Sequence, residues 1–250
     1  MGEDRGGGAS VRLVIDLHTH TVASGHAYST MDEIARKAAE KGLEVVAFTD
    51  HGPSLPGGAH QYHFWNLRVL PDEMYGVRVL KGAEANITNH NGDLDLDEDL
   101  LKTLDVVAIG FHPFCGYEGK TVEENTRTLI KAMQNPFVHI VVHPGNPWFP
   151  VEIGQVVEAA RKWNVLLELN NSSFVTSRPG GEDVSRGIAK AVYEAGLDIV
   201  LGSDAHLADL VGEFTQASRE ATEIGFSPDR IINTSAERTL EFLRNKGVKS

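Results

Sequence analysis

Short apolar runs recur along this chain at the spacing of strand-then-helix units, and a histidine or carboxylate stands just past most of them. The runs cover residues 11–16, 44–48, 77–81, 105–109, 138–142, 165–169 and 198–201. Most are dense in Val, Ile and Leu without polar alternation, which suits parallel strands covered on both faces. Helices are expected between them, over 30–41, 121–134, 151–163, 184–195 and 235–245. Two open with the spacing of a capping box, Thr30 with Glu33 and Thr121 with Glu124. Right-handed crossovers wind such units into a barrel. Seven strands rather than eight make it an incomplete or distorted α/β barrel.

In a barrel of parallel strands, all C-terminal strand ends open at one mouth, so residues remote in sequence meet there. The residues so placed are His18, His20, His51, Glu84, His112, His143, Asp204 and His206, with His26 slightly beyond the first run. His18 and His20 are two apart, as are Asp204 and His206, a spacing that points side chains of an extended chain the same way. Pro113 and Pro144 bias His112 and His143 toward extended backbone. Glu84 follows two small residues, Gly82 and Ala83, past the third run. A carboxylate can bridge two cations through its two oxygens, which an imidazole cannot. Nine such groups exceed the roughly four that one zinc takes, so the set points to two or three cations. Its imidazole-rich chemistry suits Zn²⁺, with Mn²⁺ or Fe²⁺ as alternatives.

Composition narrows the function classes. The 250 residues fit one α/β barrel domain, here expected over 11–250 behind a Gly-rich, disordered lead-in at 1–10. No apolar run is long enough to span a bilayer, and the start lacks the layout of a secretory signal. Cys115 is the only cysteine, which excludes an internal disulfide and fits a cytoplasmic location. It reads as a small packed residue rather than a nucleophile. The net charge of −12, with no basic run interleaved with aromatics, counts against a long nucleic-acid track. The irregular stretch 52–61 and the aromatic-rich 62–70 after it read as a binding loop or lid.

In order, His18-Thr19-His20, His26, Thr49-Asp50-His51, Glu84, His112, His143-Pro144 and Asp204-Ala205-His206 resemble the motifs of the PHP (polymerase and histidinol phosphatase) superfamily. Gly52-Pro53, His63-Phe64 and Asn170-Asn171-Ser172-Ser173 are similar to its small stand-alone YcdX-like phosphatases. The resemblance implies a distorted (β/α)7 TIM-like barrel holding three divalent ions. It places His18, His20, Glu84 and Asp204 on the first, Glu84, His112 and His143 on the second, and His26, His51 and His206 on the third.

Such a cluster is expected to hydrolyse a small phosphate monoester by metal-activated hydroxide. Asp50, His60 and His63 are candidate proton donors to the leaving group. Arg178, on a Gly-Pro loop, is a candidate grip on phosphate. Glu168 and Asn170 share a strand face and read as positioning their strand, with orienting the pocket as the alternative, while His139 reads as structural. The competing readings are a phosphodiesterase or nuclease using the same ions, and a metal-binding regulatory protein without catalysis. A homo-oligomer is compatible with the sequence, and no membrane partner is expected.

Overall fold

The structure is a computed structural model that describes residues 11–119, 121–175 and 180–246. Both the expected lead-in at 1–10 and Arg178 lie outside the described residues. Among those described, the strands are β1 (Ile15–Asp16), β2 (Val45–Phe48), β3 (Glu73–Met74), β4 (Val77–Asn86), β5 (Val106–Gly110), β6 (Ile140–Val141), β7 (Leu166–Asn170) and β8 (Val200–Gly202). The α-helices are α1 (Met31–Glu40), α2 (Gln61–Asn66), α3 (Glu98–Leu101), α4 (Val122–Met133), α5 (Ile153–Trp163), α6 (Glu182–Glu194), α7 (Thr215–Ile224) and α8 (Ala236–Asn245). Seven strands pair in the order β1-β2-β4-β5-β6-β7-β8, every pair parallel, to form a nearly closed barrel. The short β3 lies antiparallel on β4.

Two apolar layers explain why the runs do not alternate. Val45, Ala47, Leu80, Val106, Ala108, Ile140, Val142, Leu166 and Val200 form one buried cluster inside the barrel. The residues between them, such as Val46, Phe48, Val107, Val141 and Leu167, pack outward against Ile34, Leu129, Val156 and Ile188 of the helices. Each fully buried side chain of this kind contributes about 1.5–3 kcal/mol, so both faces demand hydrocarbon. The expected capping boxes start α1 and α4, with Thr30 and Glu33, and Thr121 and Glu124, each satisfying the other's backbone N–H.

The seam between β8 and β1 is closed by side chains. The buried Asn233 donates from Nδ2 to the carbonyls of Ile15 (3.0 Å) and Leu201 (2.7 Å), and its Oδ1 accepts from Leu201 N (2.7 Å). Nearer the mouth, Thr19 and Ala205 form a parallel bridge.

Several boundaries differ from the sequence expectation. The 77–81 run continues to Asn86, because β5 pairs alongside it from Gly82↔Val106 to Asn86↔Gly110. Glu84 therefore lies within a strand, not past one. Only Ile15 and Asp16 of the 11–16 run pair as strand. Helix α7 fills a stretch given no element, and α2 begins where the irregular 52–61 stretch ends. His139 is structural: its Nδ1 accepts from Val107 N (3.0 Å) and its Nε2 donates to Leu243 O (3.2 Å). No helix among the described residues is long and apolar enough to cross a membrane.

Candidate metal centre

The barrel topology gathers the nine sequence-selected residues into one cluster, in which five imidazoles meet Glu84. This carboxylate is fully buried on β4. Its Oε2 lies 3.2 Å from His18 Nε2, 3.2 Å from His20 Nε2 and 3.1 Å from His51 Nδ1. Its Oε1 lies 3.0 Å from His112 Nε2 and 2.8 Å from His143 Nε2. Asp204 Oδ1 approaches His18 Nε2 at 3.6 Å, His20 Nε2 at 3.4 Å and His206 Nδ1 at 3.4 Å. His26 Nε2 and His206 Nε2 face each other at 3.0 Å.

Local backbone chemistry aims these groups. Between His18 and His20, Thr19 is pinned by donating to Ala47 O (2.7 Å) and by its N–H donating to Thr49 Oγ1 (3.1 Å). His143 required a correction to the expected extended backbone. Its φ is +34°, in the left-handed region that β-carbons disfavour. Val142 already faces the barrel interior, so an extended His143 would face the helices. The left-handed turn brings its imidazole onto Glu84 instead, and Glu168 Oε2 holds the strained backbone by accepting from His143 N (2.7 Å). Asp204 is also left-handed, with φ +55°.

Space is made by missing side chains. A β-carbon at Gly202 would sit 1.7 Å from Glu168 Oε1, and one at Gly110 would sit 2.7 Å from His143 Cε1.

The protons of the imidazoles can be assigned from their partners, because a carbonyl or a carboxylate only accepts. His26 Nδ1 donates to Ser24 O (3.0 Å), and His206 Nδ1 donates to Asp204 O (2.9 Å). In the neutral rings both Nε2 atoms are then lone pairs, pointed at each other. His18 Nδ1 donates to Glu168 Oε1 at 2.6 Å, which turns Nε2 toward Glu84. Ser24 Oγ donates to Asp50 (2.7 Å), so it accepts from His20 Nδ1 (3.2 Å). His20 Nε2, His51 Nδ1 and both ring nitrogens of His112 are buried without a hydrogen-bond partner. Lone pairs opposed at about 3 Å repel unless a proton or a cation lies between them. The donor set thus fits divalent cations, and four overlapping three-residue groups of these side chains have the spacing of ligands.

The charges of the cup shift its titrating groups, and in the absence of cations they favour a proton on His18. Burial favours the neutral acid at Glu84, but His51, His112 and His18 outweigh it and hold its pKa well below the usual range. Burial disfavours charge on His18, yet Glu168, Asp204 and Glu84 push its pKa well above normal. His51 is pushed well down, by burial first, and His206 is pushed down to about 4 for the same reason.

The remaining candidates separate. Asp50 is buried, and its two oxygens accept from Thr21 N (2.7 Å), Ser24 Oγ (2.7 Å), Thr21 Oγ1 (2.8 Å) and His63 Nε2 (3.1 Å). Those bonds, that of His63 foremost, outweigh burial and lower its pKa. His60 caps α2 by accepting from Tyr62 N (3.1 Å). His63 keeps partial exposure while held to Asp50. Of the two readings of Glu168, the contacts favour the pocket: it orients His18 and His143. Its signal was available: an acid inside Leu166-Leu167-Glu168-Leu169, covered on both faces, needs donors to offset its burial.

The sequence profile of the PHP domain family matches residues 16–248. A probable phosphatase of Caldanaerobacter subterraneus subsp. tengcongensis is 47% identical over 240 residues, covering 96% of this chain and 94% of that protein. A probable phosphatase of Citrobacter koseri is 44% identical, covering 94% of this chain and 95% of that protein. Among solved structures, histidinol phosphate phosphatase of Lactococcus lactis, in complex with zinc, L-histidinol and phosphate, shares the fold with a TM-score of 0.59 at 16% identity. The match covers 85% of this chain and 94% of that one.

Proposed function

The chain belongs to the PHP domain family, and on that premise we propose that it hydrolyses small phosphate monoesters at the cup around Glu84. The observation that carries the reading is the convergence of imidazole nitrogens on carboxylate oxygens at about 3 Å, with His20 Nε2, His51 Nδ1 and both ring nitrogens of His112 lacking hydrogen-bond partners. His18, His20, Glu84 and Asp204 would hold one ion, Glu84, His112 and His143 a second, and His26, His51 and His206 a third. Zinc suits seven imidazoles best, with manganese or iron as alternatives. Bound there, the ions would lower the pKa of water and offset phosphate charge.

The protein's own groups do the rest. Glu84 would serve two ions, since each of its oxygens faces a different set of imidazoles. Glu168 fixes the tautomer of His18. Asp50 fixes the ring of His63 through Nε2, which leaves Nδ1 to hold a proton for the departing oxygen. Arg178 follows β7 in sequence and is assigned to grip phosphate oxygens. The names of the relatives support phosphatase chemistry.

The test offers metal-reconstituted protein p-nitrophenyl phosphate, bis(p-nitrophenyl) phosphate and single-stranded DNA. Turnover of the monoester alone is expected. Faster diester or DNA cleavage would make it a phosphodiesterase or nuclease. Full metal occupancy without turnover of any of the three would overturn the enzymatic reading.

A further inference from the structure

Four aromatic side chains stand 70% or more exposed among the described residues: Tyr28, Tyr62, Phe114 and Trp148. All four lie in segments that follow C-terminal strand ends, Tyr28, Phe114 and Trp148 on the loops after β1, β5 and β6, and Tyr62 in the first turn of α2 after β2. Each is tied to the cup. Tyr28 N donates to His206 O at 2.9 Å. Phe114 is two residues past His112. Tyr62 adjoins His63, which is bonded to Asp50. Trp148 sits in the turn that begins with Asn146 N donating to His143 O at 3.1 Å.

Phe114 adds a second, independent sign. Its φ is +67°, a conformation that a bulky residue adopts only at a cost, and such strain gathers at ligand clamps. Its ring is 84% exposed, so the core gains nothing from the strain. In sequence, the loops 17–30, 49–60, 111–121 and 142–152 carry a single basic residue, Lys120, too little for a basic track along a polyanion. Exposed rings around a polar site suit one flat, uncharged group, which they would stack.

We propose that these rim aromatics select phosphate monoesters whose alcohol carries a planar ring, such as a nucleoside. The ring stacks at the rim while the phosphate enters the cup. This deepens the phosphatase reading and rests on it. Phe114 and Trp148 are specificity residues, not catalytic ones.

The test compares adenosine 5′-monophosphate with ribose 5-phosphate, which share a primary alkoxide leaving group and differ in the base. Both compete against p-nitrophenyl phosphate in the wild type, Phe114→Ala and Trp148→Ala, at measured metal occupancy. One stacked base is worth about 1–3 kcal/mol, so the nucleotide should bind about tenfold tighter. Either variant should erase most of that preference and leave the ribose 5-phosphate constant unchanged. Equal wild-type constants, or variants that weaken both compounds alike, would overturn the proposal. So would a shift in sedimentation of the variants with the preference intact, since the rim would then be a subunit contact.

If no p-nitrophenyl phosphate is turned over, the phosphatase reading fails separately. Tryptophan fluorescence then decides the rim by itself. Quenching by the nucleotide and not by ribose 5-phosphate, lost in Trp148→Phe, sustains it, and equal responses refute it.

Discussion

At the scale of single residues, the most informative contact is one that no ligand candidate makes alone. Glu168 accepts from His18 Nδ1 at 2.6 Å and from His143 N at 2.7 Å, so one acid sets the aim of two imidazoles. Groups that hold metal-ligating histidines typically govern affinity by 10–100-fold. Glu168→Gln should therefore weaken zinc binding by about that factor in a chelator competition, with the fold kept by circular dichroism. Wild-type affinity in this variant would remove Glu168 from the site. His139, at the opposite end of the barrel, makes a pH prediction independent of metal. Burial pushes its pKa down to about 4, against about 6.5 in an unfolded chain. Between those values the unfolded ring carries a proton that the folded ring does not, so stability falls as pH drops through that window. By pH 5 the loss relative to pH 7 is about 2 kcal/mol. Urea denaturation at the two pH values should show that much less pH dependence in His139→Gln; an unchanged difference would contradict it.

At the scale of elements, the sequence exposed the strands and hid their joins. The apolar runs were legible because both faces of the sheet are covered, and the capping boxes because they are local. Three features were not. The extension of β4 through Glu84 depends on β5 pairing alongside it, a non-local cause. Helix α7 buries little beyond Ala217, Glu220 and Ala221, so its apolar stripe is thin. The inward turn of His143 runs against the bias from Pro144 and is imposed by Glu168 from another strand. The seam is the clearest case, because a lone asparagine has no local signature. Asn233 satisfies two carbonyls and one N–H of β1 and β8, all buried. Each backbone group left unpaired costs about 1–3 kcal/mol. Asn233→Ala should lose at least about 3 kcal/mol and raise hydrogen exchange first at Leu201. Exchange spread evenly over the barrel would mean that the seam is not a local clasp.

At the scale of the whole molecule, the nine candidate ligands come from six of the seven barrel strands or the loops just after them, so the site and the barrel are one cooperative object. Their order in the chain was readable, while their convergence required the closed ring of strands. A cation bound only to the folded state stabilises it by mass action, by about 4 kcal/mol per site when its concentration is a thousand times the dissociation constant. For a chain of this size one kcal/mol moves the melting temperature by about 2–4 °C. Stripping the metals with a chelator should then lower melting by about 10 °C or more, and zinc should restore it. The loss should be smaller in His112→Ala, which gives up one donor but leaves the two-atom bridge of Glu84 in place, because less binding energy remains to be removed. Should the stripped and loaded proteins melt together, the opposed lone pairs around Glu84 would have to be relieved by protons rather than cations. The case for metal-assisted hydrolysis would then lose its physical basis.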